Sequence, residues 1–487
     1  MSASIACGAS QPRTSLSYKA TTFIAVVTAM TFAASGAAPT MLYQRYQETF
    51  GLTPFILTII FGAYALSLLG ALLTVGSLSD YIGRRPAILA ALSLNVAAMV
   101  MFISANSAAV LIAARAVQGF GTGLATATLG AAIMDTNRSR GPVLNSITTF
   151  IGVTVGTLGG GALVTYAPDP QQLVYAVLLA MSAAEALLLW YMPETVTPKP
   201  GALASLQPHV SVPGSARCAL VQVTPITIAS WALSGFYFSL MPSLVRVATG
   251  IASPIVGGLV VSALTCSGAI AVLSLHNTSS HRTLSGGITA LVTGVALTLA
   301  GVQMHHVSLM LVGTVVAGAG FGAAFSGSMR TVMAQAEAHE RAALLSAFYV
   351  EGYLSFCLPA ILTGLVVPLA GLQLAADVYG AVVILLALGS LLAMLRFGKW
   401  GRPLPVRTAQ FAIDGLGAMS SEAEESAPGQ ARSCSDVRST TMSTDFDALS
   451  RFGVTVLRCR GLFRSPTALS QTVPVAARSR IGLITRA

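Results

Sequence analysis

Within the stretch Gly76-Ser77-Leu78-Ser79-Asp80-Tyr81-Ile82-Gly83-Arg84-Arg85-Pro86, one acid, two arginines and two glycines stand between long apolar runs. Charge crowded into so short a connection is costly unless it does a job. The chemistry open to it is ion pairing that forms and breaks. Asp80 ends one apolar run, Arg84 and Arg85 lie in the turn, and Gly83 lets the backbone bend tightly there. Asp135 ends a later run on the same side, where Arg84 is a natural partner. Three further charges sit inside apolar runs. Arg115 at such a position costs on the order of 3 kcal/mol, so it requires a cavity, a partner or a function. Gln118 follows three residues later on nearly the same helix face. Glu185 and Glu351 are the intramembrane acids. Desolvation disfavours a carboxylate, so such a group either loads and releases a proton or packs as a neutral hydrogen-bonded acid. Glu351, flanked by Tyr349 and Tyr353, is the better proton carrier; Glu185, near a helix end, is read as snorkelling toward the interface.

The elements that must position these groups are membrane helices. Of 487 residues, 54% are hydrophobic and only 9% charged, with a mean hydropathy of +0.74. A soluble domain carries about 25% charged residues. About 20 apolar residues cross a hydrocarbon core of about 30 Å. Runs near 20–40, 54–78, 86–105, 107–134, 141–166 and 171–192 predict six spans, and runs near 219–245, 252–275, 284–304, 307–329, 342–368 and 374–396 predict six more. An even number places both termini on one side. Arg13, Lys19, Arg84, Arg85, Arg138, Arg140, Lys199, Arg217, Arg282, Arg330, Arg341, Arg396 and Lys399 all fall on that side, against Arg45 and Arg246 on the other, and the positive-inside bias makes it cytoplasmic. The net charge of +10 follows from this bias and a basic tail, and argues for no nucleic-acid partner. The first apolar run is too long for a cleaved leader and reads as a signal anchor. No cysteine pair has metal-ligand spacing, no catalytic triad or phosphate loop is evident, and no cofactor is expected, so a membrane enzyme finds little support.

Three motifs resemble the major facilitator superfamily. The charged stretch fills every defining position of the family's loop between spans 2 and 3, G-x-L-[SA]-D-x-x-G-R-R. Arg115-Ala116-Val117-Gln118-Gly119-Phe120-Gly121 resembles R-x-x-Q-G-x-G of its proton-coupled members. Gly152 to Gly161 resembles the span 5 signature G-x-x-x-G-P-x-x-G-G of drug–proton antiporters, with Thr157 in place of the proline. The resemblance covers about residues 18–397. It implies an all-α membrane protein of twelve transmembrane helices in two six-helix halves, working by alternating access around a central cavity. It adds a partner for Asp80, the N-terminal end of the eleventh span from Arg341 to Leu345, so that Asp80, Gly83, Arg84, Arg85, Asp135 and Arg341 form a conformational latch. It ties Arg115, with Gln118, to proton transfer or anionic cargo; Glu351, on a span that can face the cavity, is the further candidate for proton coupling. Spans 1, 4, 7 and 10 line the family's cavity. Trp231 and Tyr237 on span 7, with Tyr349 on span 11, are the aromatic groups that stack on cargo there or pack against lipid. The implied activity is proton-coupled efflux of a small organic molecule or drug. The rivals are metabolite uptake by symport or facilitated diffusion, and a non-transporting sensor. The partners are a small-molecule substrate, protons and the lipid bilayer, for a monomer in the cell inner membrane.

The chain also repeats after roughly 200 residues. Gly119, Gly121 and Gly123 keep the spacing of Gly318, Gly320 and Gly322, and Arg140 falls where Arg341 does before the following run. These glycines, with Gly152, Gly156, Gly160 and Gly161, suit close helix packing. The expected organisation is a cytoplasmic segment 1–19, a first half 20–192, a proline-rich linker 193–218, a second half 219–397 and a basic tail 398–487 of disordered composition. His305 and His306 are read as exposed and structurally unimportant.

Overall fold

The computed structural model describes residues 17–137, 140–208, 210–251, 253–337 and 340–396. The expected N-terminal segment up to residue 16 and the tail from 397 onward lie outside the described residues. Within them there is no strand, and twelve helices are long and apolar enough to cross a membrane.

The first half is built from α1 (Tyr18–Ala37), α2 (Tyr43–Phe50), α3 (Pro54–Thr74), α4 (Ser79–Ile82), α5 (Arg84–Ile103), α6 (Ala108–Thr136), α7 (Gly141–Tyr166) and α8 (Pro170–Leu188). The second comprises α9 (Gly214–Ser239), α10 (Met241–Thr249), α11 (Pro254–Ser274), α12 (Ser280–Gln303), α13 (Val307–Met333), α14 (Arg341–Ala370) and α15 (Leu372–Arg396). The seventh expected span divides into α9 and α10. The first, expected over 20–40, ends as α1 at Ala37, and a short turn and α2 follow beyond its expected bounds. Each break carries a proline, Pro39 or Pro242, whose missing N–H interrupts the helical ladder. Both short helices turn an apolar side inward, Tyr43 and Tyr46 in α2 and Met241, Leu244, Val245 and Ala248 in α10. α9 begins at Gly214 and so takes the last residues of the expected linker.

The repeat read from glycine spacing is a packing repeat. A Cβ at Gly119 or Gly123 would overlap the Tyr64 or Leu68 carbonyl of α3, and one at Gly121 would meet Leu94 of α5. A Cβ at Gly318 or Gly322 would overlap Leu264 or Gly268 of α11, and one at Gly320 would overlap Leu291 of α12. In each half the fourth span is therefore wedged between the second and third in the same register.

The halves meet along α3 against α14 and α7 against α11. The ties lie toward the face where α3 begins. The Phe61 and Phe356 rings pack tilted at 43°, with centroids 4.8 Å apart. Thr157 and Ser262 share a 2.6 Å hydrogen bond, and Thr154 and Thr265 one of 2.7 Å. Arg246 pairs with Glu48 at 3.4 Å between α10 and α2. At the other face, which carries the Asp80–Arg85 loop, no hydrogen bond or ion pair among the described residues joins the helices of one half to those of the other. We refer to these as the sealed face and the basic face.

Candidate functional site

At the basic face Gly83 adopts φ +99°, a conformation that L side chains rarely take, and reverses the chain between α4 and α5. The bend carries Arg84 inward, 7% exposed. Its guanidinium reaches Asp80 at 2.5 Å, Asp135 at 3.1 Å and the Ser79 hydroxyl at 2.7 Å. The expected Arg84–Asp135 pair is therefore formed. Glu194, absent from the sequence-derived latch, accepts the backbone N–H groups of Arg84 and Arg85 at 2.8 and 3.0 Å. It supplies an anion at the positive start of α5. Its signal was an acid closing the sixth span on the side of the loop arginines. Arg85 lies over Trp190, 5.4 Å from the ring centroid.

The expected contact of Asp80 with the start of the eleventh span is not formed. Arg341 instead donates to the Ala336 carbonyl at 3.3 Å. Asp80 stands four residues before Arg84 on adjoining turns, so its nearest cation belongs to its own loop. The second half fastens its matching loop with other chemistry. Arg330, at the end of α13, donates to the Thr278 carbonyl at 2.9 Å, the His276 carbonyl at 3.2 Å and the Thr283 hydroxyl at 2.9 Å. His305 also departs from expectation: though exposed, it takes φ 56° and its Nδ1 lies 2.5 Å from the Ala248 carbonyl, tying the α12–α13 turn to α10.

Arg115 is 1% exposed and has no acid against it among the described residues. It is held by neutral oxygens: the Gly36 carbonyl at 2.9 Å, Gln118 Oε1 at 2.8 Å and the Tyr43 hydroxyl at 2.6 Å. Gln118 in turn donates to the Ser35 carbonyl at 2.8 Å. Tyr43 and Tyr64 set their rings 5.7 and 5.0 Å from the guanidinium carbon, which adds cation–π attraction. The carbonyls of Ser35 and Gly36 are available because α1 is ending there and Pro39 supplies no N–H to them.

In the second half Thr224 of α9 donates to Glu351 Oε2 of α14 at 3.2 Å, and Oε1 is buried without a partner. Tyr349 and Tyr353 do not flank this carboxyl in space. Residues two apart on a helix point to different sides, and both tyrosines turn to Trp231, at 6.5 and 5.0 Å between centroids. Phe325 and Phe356 complete the cluster, and Trp231 Nε1 is also buried without a partner. Tyr237 stands apart. Six residues beyond Trp231 it faces α12 and α13, 2% exposed, with its hydroxyl 2.9 Å from that of Thr314, so it belongs to the core of the second half. Glu185 does not snorkel: it is 6% exposed and accepts the Thr31 hydroxyl at 2.5 Å.

The glycines of α7 divide as well. Gly152 and Gly156 press on Met30 and Ala34 of α1, and Gly161 meets Ile255 and Pro254 across the seam. A Cβ at Gly160 would make only ordinary contact with Ala38, so close packing does not demand glycine there. The expected kink-forming proline is Thr157, whose hydroxyl reaches Ser262 across the halves.

The profile of the Major Facilitator Superfamily matches residues 23–360. The chain belongs to that superfamily. This facilitator is 27% identical over 176 residues to multidrug resistance protein MdtL of Klebsiella pneumoniae (strain 342), covering 33% of the chain and 44% of that relative. It is 43% identical over 65 residues to multidrug resistance protein D of Escherichia coli (strain K12), covering 13% of the chain and 16% of the relative. The chain thus spans less than half the length of these curated relatives. A bacterial homolog of the human lysosomal transporter Spinster, crystallised inward-facing and unoccupied, superposes with a TM-score of 0.62 at 14% identity, covering 79% of the chain and 99% of that structure. A mutant of the nucleoside transporter NupG superposes with a TM-score of 0.61 at 13% identity, covering 77% and 99%. At these identities the superpositions establish the fold. The facilitator is a multi-pass membrane protein of that superfamily.

Proposed function

We propose that this facilitator exports a small, fairly apolar organic molecule in exchange for protons, in the manner of the drug–proton antiporters. The observation that carries the reading is Glu351: a half-buried acid inside a candidate span, with one oxygen held by Thr224 and the other free of partners. It stands on the helix whose neighbouring face presents Tyr349 and Tyr353 to Trp231. A carboxyl there can hold either a proton or a cationic group, and rings of this kind suit an aromatic or cationic cargo. Arg115 and Gln118 form the matching polar centre of the first half. The names of the two multidrug resistance relatives favour the same direction of transport.

In this reading the basic face is cytoplasmic, both termini lie there, and the structure represents the state open to the cytoplasm of a bacterial inner membrane. Asp80, Arg84, Arg85, Asp135 and Arg341 then belong to the latch that closes when the molecule turns outward. The halves are residues 20–192 and 219–397, joined by the 193–218 linker, in a monomer. Thr157 in place of the antiporter proline favours a second reading, uptake of a metabolite by symport. Everted membrane vesicles separate the two. With ethidium as probe, export predicts ethidium accumulation inside energised vesicles and collapse of that accumulation by a protonophore. Ethidium that stays outside energised vesicles, as it does in vesicles lacking the protein, sinks the export reading.

A further inference from the structure

Among the described residues, four buried side-chain atoms without hydrogen-bond partners belong to a single polar seam of the first half: Thr28 Oγ1, Asn95 Oδ1, Arg115 Nε and Glu185 Oε2. Glu185 lies where α8 packs on α1 and α5. Thr31 donates to its Oε1. Thr28, one turn earlier on α1, stands beside the same carboxyl with its hydroxyl outside bonding geometry. One turn along α8, Ser182 accepts Asn95 Nδ2 at 2.8 Å, and Asn95 reaches the Ser35 hydroxyl at 3.4 Å. The backbone of Ser35 and Gly36 then holds Gln118 and Arg115. The seam runs about 12 Å along α1 from Thr28 to Gly36 at 1.5 Å per residue.

Among the described residues an ionised Glu185 has no counter-charge. The charged and titratable groups on α1, α5, α7 and the turn after α8 are Tyr18 and Lys19 in the first turn of α1, Arg84 and Arg85 in the first turn of α5, Tyr166 at the end of α7, and Tyr191 in the turn after α8; at the far end of α8 itself, Tyr175 pairs with Tyr46 of α2. None of them bonds to the carboxyl among the described residues. As a neutral acid, Glu185 has an O–H to give, and the Thr28 oxygen is the nearby acceptor in want of one. We propose that Glu185 is a second proton-binding site, in the first half, linked through Thr31, Asn95 and the end of α1 to Arg115. The step is the addition of one proton to the carboxylate and its later release, with no other bond made or broken. Taking up the proton lets Oε2 bond to Thr28 and weakens the pull of Oε1 on Thr31. Both changes act on α1, whose far end carries the carbonyls that fix Gln118 and Arg115. This inference rests on the proton-coupled reading above.

The test uses the full-length protein in liposomes. The carboxylic-acid C=O stretch is followed by difference infrared spectroscopy during a pH titration. A titrating band is expected that is lost in Glu185→Gln, kept in Glu351→Gln and displaced in Thr31→Val. No such band in the wild type, or one unchanged in Glu185→Gln, overturns the proposal. If Glu185→Gln fails to fold, an undisplaced band in Thr31→Val overturns it. Ethidium movement driven by an imposed pH gradient is then measured in the same liposomes. A wild type blind to the gradient defeats the proton-coupled reading, while the infrared band still decides whether Glu185 binds a proton. With a responsive wild type, Glu185→Gln lowers the gradient-driven flux about tenfold or more; an undiminished flux overturns the link to transport.

Discussion

Arg115 Nη2 lies 2.6 Å from the hydroxyl of Tyr43, at the first residue of α2. The same short helix carries Glu48 to its partner Arg246 in the other half. The buried cation of the first half is thus joined, through one helix of eight residues, to a tie across the sealed face. A hydrogen bond to a charged group contributes about 1.5–3 kcal/mol. Tyr43→Phe is therefore expected to lower ethidium flux about tenfold or more, with the protein still present in the membrane. Arg115→Lys is expected to fare no better than Arg115→Ala, because a lysine lacks the fork that meets Gly36, Gln118 and Tyr43 together. Flux normalised to the amount of protein measures both.

The loop at the basic face separates function from stability. Asp80 is 53% exposed, and pairs of that kind add only about 0–1 kcal/mol to folding. Asp80→Asn should leave the amount of protein nearly unchanged and reduce transport much more. Asp135→Asn should act in the same direction, since it takes the second carboxylate from Arg84. Normal transport rates in Asp80→Asn would sink the latch.

The sealed face offers a covalent test. The hydroxyl oxygens of Thr157 and Ser262 are 2.6 Å apart, so sulfurs placed there need only a small approach to reach the about 2.05 Å of a disulfide bond. With the native cysteines replaced by serine, Thr157→Cys with Ser262→Cys is expected to cross-link under mild oxidation and to stop ethidium flux. Dithiothreitol should restore it. A cross-linked protein that transports normally would show that the halves need not part at this seam.

Two glycines of α7 provide a packing test with its own control. A Cβ at Gly156 would stand 2.5 Å from Ala34 Cα, whereas Gly159 has nothing within 4 Å. Overpacking of this kind costs about 1–3 kcal/mol. Gly156→Ala should lower the thermal midpoint of the purified protein, and Gly159→Ala should leave it unchanged or raise it.

Much of this architecture is legible in the sequence because hydrocarbon constrains it so strongly. Apolar length alone marks the twelve spans, and the spacing of Gly119, Gly121 and Gly123 marks a contact surface that Gly318, Gly320 and Gly322 repeat. The Arg84–Asp135 pair follows from an acid ending the fourth span on the same side as the loop arginines. What stayed hidden depends on direction around a helix. Tyr349 and Tyr353 neighbour Glu351 along the chain and turn away from it in space. Tyr237 looks like a partner of Trp231 until the angle between them is set by the helix. Glu185 reads as interfacial by its place near a helix end, yet Thr31, 154 positions earlier, lies against it. The halt of α9 near Pro242 was masked by apolar residues continuing beyond the proline.

The Arg246–Glu48 tie is open to water at both ends, its side chains 41% and 53% exposed. Dissolved ions reach such a pair and screen it. A clasp this weak gives way readily, as the alternating-access reading requires. It also leaves the strength of this join between the halves in the hands of the surrounding electrolyte, so that added salt loosens the sealed face.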